Sequence, residues 1–448
     1  MARRALLLVE GSIMGYGLLY VQAARRLNLS PITLSSDPTR YGYIASEGVE
    51  AICVDTNNID ALIQKCSLVQ STYEIAGITG FPSPADSVYT MVARLCRHFD
   101  LPGPSPASIG RCCDKFVQRQ LLAEAAVPVP IFRLAANATD VEHCAEEIGL
   151  PVILKPTFGN GSTGVRLCRN VDELVEHATQ LLRASHISQS SPGILVEEFA
   201  QGCHYSVDLM GDEVFGIAAA DFGHPPHFVC HEYTYPAVLT DDEHRRITEV
   251  SMSCLRALGL GWGPANIDLR WTELGPVVIE VNPRLAATPT PELVKLAYGV
   301  DLITEHIKLV VGDEWNLCKR HAHAAAARSL IPDREGILDC IEGYDQAADL
   351  PGVAEVKLYA EPKGPIVRKG DWRDRIGYVI AASATIAETK AILQSAIDLM
   401  HWSIAPSRNV GESQQPTVPD IAAPAQVMPR KGGSSENVGA TKSMKVMD

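Results

Sequence analysis

The sequence predicts a mixed α/β and α+β chain, with an open parallel sheet at the amino end and two further regions that mix strands and helices. Three observations predict this. Short apolar runs alternate with helix-forming stretches over the first hundred residues. Strands that deliver lysine, glycine, carboxylate and carboxamide side chains lie between residues 150 and 284. Finally, 448 residues are too many for one core, and at about 150 residues per domain the chain should hold about three. Hydrophobic residues make up 46% of it and charged residues 21%, which excludes wholesale disorder.

The opening MARRALLLVEG imitates a secretory signal, but its apolar run stops at Glu10 and no small-residue cleavage pattern follows. Ala5–Val9 is therefore a buried strand. Ile13–Leu27 is helical up to Asn28, and Pro31–Leu34, Ala51–Val54 and Ile75–Thr79 are strands. Ile59–Cys66 and Ser87–Phe99 are the helices between and after them. That alternation is the pattern of parallel strands joined by crossover helices. The turn Gly11–Gly17 lacks G-x-G-x-x-G spacing, and Asp37 is the nearest acid for a ribose. It reads as a tight strand-to-helix turn in a degenerate Rossmann-like domain.

A charged helix, DKFVQRQLLAEAA, runs from about Cys112 into Val127-Pro-Val-Pro130, and strands and helices mix from there to about residue 312. A third block, Ala324 to Trp402, contains strands at Ala325–Ile331, Val353–Leu358 and Tyr378–Ser383 and a helix at Ile386–Met400. From Ala405 onward Pro, Ser, Gly, Gln and Asn dominate, so residues 405–448 are expected to be a disordered tail.

Lys and Arg number 39 against 53 Asp and Glu, a net charge of -14. Such a field repels nucleic acid and anionic membrane, so neither is an expected partner, and a phosphate-bearing ligand needs a local pocket. No stretch approaches the ~18 apolar residues that span a bilayer. The twelve cysteines contain no C-x-x-C. They read as small core residues of a reduced, cytoplasmic protein.

The chemistry is concentrated in a few segments. In Leu150–Val165 an apolar strand delivers Lys155, and Gly159, Gly161 and Gly164 then flank Ser162 and Thr163. Glycines let backbone N–H groups approach a phosphate, hydroxyls add donors, and lysine adds a point charge. A plain hairpin is the alternative, and a lysine ending an apolar strand argues against it. In Gly275–Arg284, alternation puts Glu280 and Asn282 on one strand face with Arg284 next. The two side chains are hard oxygen ligands suited to Mg²⁺, and the arginine can grip a phosphoryl or carboxylate group. The preceding strand puts Asn266, Asp268 and Arg270 on one face, and a short turn lets Asp268 pair across to Glu280. The segment Gly193–Asp208, with Glu197 and Glu198, can offer adenine its backbone, but alone it decides nothing.

Taken together and in this order, these segments resemble the ATP-grasp superfamily over about residues 1–400. The resemblance implies a three-lobe architecture with a Rossmann-like amino-terminal domain and ATP clamped between two sheets. Its parts would be a pre-ATP-grasp domain at 1–111, a small lobe with its linker helix at 112–202, and a carboxy-terminal lobe with an appended subdomain at 203–404. It implies that Lys115 and Lys155 contact phosphate and that Gly161, Ser162, Thr163 and Gly164 belong to a mobile phosphate loop. Glu197, Glu198, Phe199 and Ala200 would form the adenine-side hinge. Asp268, Glu280 and Asn282 would hold Mg²⁺, with Mn²⁺ as a substitute, and Arg284 would be the catalytic arginine. Where the family commonly has a ribose-binding glutamate, this chain has His204.

Within the superfamily, the amino-terminal strand-helix-strand, the phrase IEVNPRLAATPTPELVKLAYGVDLI and Gly364-Pro-Ile-Val are similar to L-amino-acid ligases and carnosine-synthase-like enzymes. That resemblance implies small-molecule carboxylate and amine substrates, an acyl phosphate, ADP as product and, since related ligases are often dimers, a homodimer. A biotin-carboxylase-like enzyme is the rival, but no Gln-Val-Glu-His run follows Asn282-Pro-Arg284. A non-catalytic ATP-binding protein is the alternative of another class. His224, His227, His231 and Glu232 in the loop Phe222–Pro236 read as polar surface above a substrate rather than as metal ligands. His321 and His323 read as a strand entrance.

Overall fold

The computed structural model describes residues 3–10, 16–80, 87–183 and 193–406. Of the tail expected at 405–448, residues 407–448 lie outside them, as do residues 11–15 of the first turn, whereas Ala405 ends a strand by pairing with Ile337 and so belongs to the fold.

Near-continuous apolar runs form strands that are covered on both faces. Arg3–Val9 is such a strand, with Leu6, Leu7 and Leu8 fully buried. It pairs in parallel with Ser30–Ser35 and Tyr73–Gly80, and Glu50–Cys53 adds to the edge. Gly17–Arg26, Ile59–Gln70 and Ser87–His98 are the helices. Asn28 ends the first connection at φ 58°, a conformation asparagine tolerates better than most residues. The 3₁₀ turn Pro38–Arg40 and the short helix Gly42–Glu47 carry no apolar period, so the sequence does not announce them.

A second, antiparallel sheet has the order Phe132–Ala135, Ile194–Glu198, Val152–Pro156, Arg166–Cys168. Helices Ala138–Ile148 and Val171–Arg183 cover one face, where Val152, Leu154, Ile194 and Val196 join Val141, Leu174 and Ala178 in a core. Strand alternation therefore turns Ile153, Lys155 and Glu197 to the opposite face.

An eight-stranded antiparallel sheet follows. Its order is Gly275–Asn282, Pro264–Thr272, Cys203–Met210, Glu213–Asp221, Glu232–Tyr235, Ala324–Leu330, Gly377–Ser383, Val353–Leu358. The strands of the third sequence block thus extend the sheet that carries Glu280. A small sheet of Pro365–Ile366, Gly336–Glu342 and His401–Ala405 packs beyond it.

All twelve cysteines are free thiols. Cys66, Cys96, Cys112, Cys144, Cys168 and Cys254 are buried, whereas Cys53, Cys203 and Cys318 are exposed, so the core expectation holds for only part of the set. Among the described residues no helix is long and apolar enough to cross a membrane.

Candidate active site

The open face of the small sheet looks onto the edge of the large one, and the chemistry lies between them. Lys155 is 4% exposed, and its ammonium meets Glu197 Oε2 at 2.6 Å. The other Glu197 oxygen takes Arg119 Nε at 2.6 Å. Arg119 sits one turn beyond Lys115 on helix Lys115–Glu124 and also donates to the Ile279 carbonyl, so the buried triad ties the small lobe to the large sheet. Burial lowers Lys155 to about 8, against the opposing pull of Glu197. Burial pushes Glu197 up, but the Arg119 and Lys155 charges overcome this and leave it below its usual value.

Asp114 caps the Lys115 helix by accepting from Phe116 N at 2.9 Å and Val117 N at 3.2 Å. Lys115 opens that helix, donates its backbone N–H to the Thr157 carbonyl at 2.9 Å, and places its ammonium 2.8 Å from Glu280 Oε1. The same ammonium reaches the Gly159 carbonyl. Burial works to raise Glu280, and Lys115, with Lys155 and Arg284, more than reverses it.

In the large sheet Asp268 pairs directly with Glu280 and Asn266 with Asn282, with a bulge beside Asp268. Cross-strand neighbours stand about 5 Å apart, which brings the expected hard-oxygen set together. Arg284 is 8% exposed, and it donates to Asn282 Oδ1 at 3.2 Å and to the Leu285 carbonyl at 3.1 Å. His204 Nε2 lies 3.5 Å from Asp268 Oδ1, and its ring packs on Phe222 at 4.4 Å between centroids.

The glycine loop is held in a left-handed backbone, with Gly161 and Ser162 both at φ 64°. Trp372, from the far end of the chain, covers it. Its N–H donates to the Gly161 carbonyl at 3.1 Å, and its indole occupies the space a Cβ at Gly161 would need.

Two adjoining cavities result. The first encloses about 820 Å³, its open mouth included, and is lined by Lys115, Lys155, Gly159, Ser162, Thr163, Glu197, Glu198, Phe199, Ala200, His204, Asp268 and Glu280. Ile153, Ile279, Phe222, Phe228 and Arg270 supply its apolar and cationic walls. The second encloses about 1130 Å³, measured the same way, and shares Asp268 and Glu280. It adds Gly161, Asn282 and Arg284. Gly164 lines neither; a Cβ there would meet Leu181 and Pro156, so it lets the loop return against the sheet.

The lining of the first cavity suits a magnesium nucleotide. Ammonium groups face hard oxygen ligands beneath a glycine loop, and beyond them a narrow apolar wall meets the strand end at Glu198–Ala200. His204 Nδ1, buried and without a hydrogen-bond partner among the described residues, leaves a polar contact open in that wall. Among the described residues no group of three or more His, Cys, Asp or Glu is placed to hold a metal, so any ion here depends on Asn282 and on ligand oxygens.

Sequence reasoning missed Arg119, Trp372 and Arg375. Arg119 was recognisable only as a lysine-helix neighbour, while the other two lie about two hundred residues from the loop they meet. The loop 222–236 is less polar inside than its histidines suggest. His224, His227 and His231 are exposed, whereas Phe222, Phe228, Cys230 and Tyr233 line the cavities. Glu232 is bound to Arg328 at 2.6 Å. His321 and His323 stack on each other at 4.4 Å and line neither cavity.

This fold and site define a protein with a cleft between two sheets suited to a phosphate-bearing ligand, and the comparisons point the same way. Residues 114–317 match the family described as the carbamoyl-phosphate synthase L chain, ATP binding domain. Residues 328–405 match L-amino acid ligase C-terminal domain 2. "Uncharacterized protein y4rH" of Sinorhizobium fredii (strain NBRC 101917 / NGR234) is 53% identical over 415 residues, covering 93% of this chain and 86% of that one. Carnosine synthase 1 of Homo sapiens is 27% identical over 314 residues, which are 65% of this chain and 38% of that protein. The crystal structure of L-amino acid ligase from Bacillus licheniformis superposes with a TM-score of 0.76 at 17% identity, covering 90% of this chain and 100% of that one. The chain belongs to the ATP-grasp carboxylate–amine ligases, and it is an ATP-dependent ligase.

Proposed function

We propose that this ligase joins a small acid or amino acid to an amino acid, forming an amide or peptide bond through an acyl phosphate. A carboxylate oxygen of the acid attacks the γ-phosphorus of ATP, the bond to the β-phosphate oxygen breaks, and ADP leaves. The amine nitrogen then attacks the acyl carbon. The carbon–oxygen bond to phosphate breaks, phosphate departs with the electron pair, and the nitrogen loses a proton. Lys115, Lys155 and the loop Gly159–Gly164 surround the phosphates, and Glu197 positions Lys155 rather than touching adenine with its side chain. Phe199 and Ala200 present backbone to the base, and His204 replaces a carboxylate at the ribose. Arg284 holds the reacting carboxylate and then the oxyanion. Asp268, Glu280 and Asn282 would hold Mg²⁺ or Mn²⁺, which neutralises phosphate charge when bound. The pre-grasp domain, small lobe and carboxy-terminal lobe take the boundaries given above, and the related ligases make a homodimer the expected assembly. Free thiols suit a reducing cytoplasm.

One observation carries this reading: Lys115 and Lys155 face Asp268 and Glu280 across a single cavity that the glycine loop borders. Incubation with ATP, Mg²⁺ and pooled amino acids, followed by nucleotide chromatography, tests it. ADP and phosphate are expected, with hydroxylamine trapping a hydroxamate. AMP and pyrophosphate would defeat it, and an absence of turnover would favour a non-catalytic nucleotide binder.

A further inference from the structure

The second cavity extends past the phosphate loop into a chamber that the first does not reach. Cys230, Tyr233, Thr288, Tyr359, Trp372 and Arg375 line only this part. Among the described residues Arg284 and Arg375 are the two cations that line the second cavity and not the first. Arg375 Nε donates to the Trp372 carbonyl at 3.1 Å, which fixes the plane of the guanidinium. Among the described residues its terminal nitrogens make no hydrogen bond and no carboxylate lies within ion-pair distance, although the neighbouring Arg373 is neutralised by Asp371. The chamber wall opposite is aromatic, thiol and hydroxyl. The Arg375 charge opposes the upward push of burial on Cys230, Tyr233 and Tyr359, as a cation facing them should.

The reacting carboxylate belongs beside Arg284 and the Asp268–Glu280–Asn282 set. A second arginine in the same cavity, on the turn after Trp372 and not on the strand end that carries Asn282, has no use in activating the acid. A planar two-nitrogen fork left open in a half-buried aromatic chamber suits a carboxylate. We infer that Arg375 is the residue that binds the α-carboxylate of the amino-acid acceptor. This rests on the ligase reading above and adds which residue selects the acceptor. The turn that presents Arg375 also presents Trp372 to Gly161, so an acceptor seated on Arg375 is held against the closed phosphate loop.

The test compares Arg375→Met and Arg375→Lys with wild type, using pooled amino acids as acids. Each amino-acid acceptor is set against its carboxamide, which keeps the amine and the side chain but lacks the charge. Wild type should prefer the amino acid. In Arg375→Met the acceptor KM should rise about 10- to 100-fold for the amino acid, the scale of a lost charge-assisted contact, and much less for the carboxamide. Arg375→Lys should fall between, since it keeps the charge but not the fork. The rise should also exceed any change in hydroxamate formation, which needs no acceptor carboxylate and reports that the variant is folded. Equal losses for amino acid, carboxamide and hydroxylamine would place Arg375 at the acid and overturn the inference. So would a wild-type enzyme that uses carboxamides as well as amino acids. If wild type forms no hydroxamate and no ADP with any pool, the ligase reading fails, and this inference fails with it.

Discussion

Replacing Gly161 with alanine should damage turnover through two separable effects. The residue sits at φ 64°, where an L side chain costs about 1–2 kcal/mol. A Cβ there would also fall 2.4 Å from Trp372 Cδ1 and 3.0 Å from Cγ, so the indole would have to retreat by about 1 Å to reach the 3.4 Å of ordinary contact. It has little room to do so. Arg375 donates to the Trp372 carbonyl, and the buried Asp371 accepts from Arg373 N at 3.0 Å at the start of the same turn. The loop should therefore yield instead and lose the hydrogen bond from Trp372 N to the Gly161 carbonyl, worth about 1 kcal/mol. A total of about 2–3 kcal/mol predicts a loss in kcat/KM for ATP of roughly 30- to 150-fold, read from ADP release. In a Trp372→Ala background the two ring contacts are gone and only the Cβ contact at 3.3 Å remains, so the same substitution should cost only about tenfold. Gly159→Ala, at φ 111° with open space around the Cβ, serves as a control that carries backbone strain alone. Equal losses in both backgrounds would refute the claim that Trp372 holds the loop.

The other expectations concern charge. Glu280→Gln should lower turnover by about two orders of magnitude or more with folding intact, and Asn282→Ala should do so less severely, because a neutral ligand contributes less to holding Mg²⁺; near-normal turnover at saturating Mg²⁺ would make both bystanders. Burial lowers Lys155 to about 8, so its ammonium is present below that pH and lost above it. In a pH profile kcat/KM for ATP should therefore fall as pH rises through about 8. Glu197→Gln removes the carboxylate that supports this ammonium, so the falling limb should move to lower pH. It also leaves two buried cations without their partner, a loss of about 3–5 kcal/mol in chemical denaturation. A flat profile, or an unchanged midpoint in the variant, would contradict these roles.

Much of the parallel sheet was legible because strands buried on both faces have little choice but to be apolar, as in Ala5–Val9. The helix Ile59–Gln70 ran a turn past its expected end because Val69 still meets the core, a contact that propensity does not register. The strand His401–Ala405 was invisible for a different reason. It pairs with residues 337–342 and turns only Trp402 and Ile404 toward the core, an alternation too short to stand out beside the polar run that follows it. At the site, Lys155, Glu280 and Asn282 could be read because each stands on a strand whose period of two assigns its face. Glu197 was assigned to the adenine side, although its side chain is spent on Arg119 and Lys155, both of which approach from other elements. Trp372 and Arg375 lie on a 3₁₀ turn and just after it, and only the sheet topology brings them to a loop near residue 161.

The placement of charge explains how an acidic chain accommodates a phosphate ligand. The whole molecule carries -14, yet Lys115, Arg119, Lys155, Arg270, Arg284 and Arg375 gather where the two sheets face each other. Glu197 serves two of these cations and Glu280 serves a third. Arg270 rests on the faces of Phe199 and Phe228, at 5.3 and 5.6 Å, instead of on a carboxylate. Burial lowers Arg270, as it lowers Lys155, so these groups stand at some cost in desolvation until an anion arrives. A small anion that fits the cavity meets these cations, beside the carboxylates that hold them, at short range and with little screening. An acidic average over the chain is thus compatible with a nucleotide held in a local pocket.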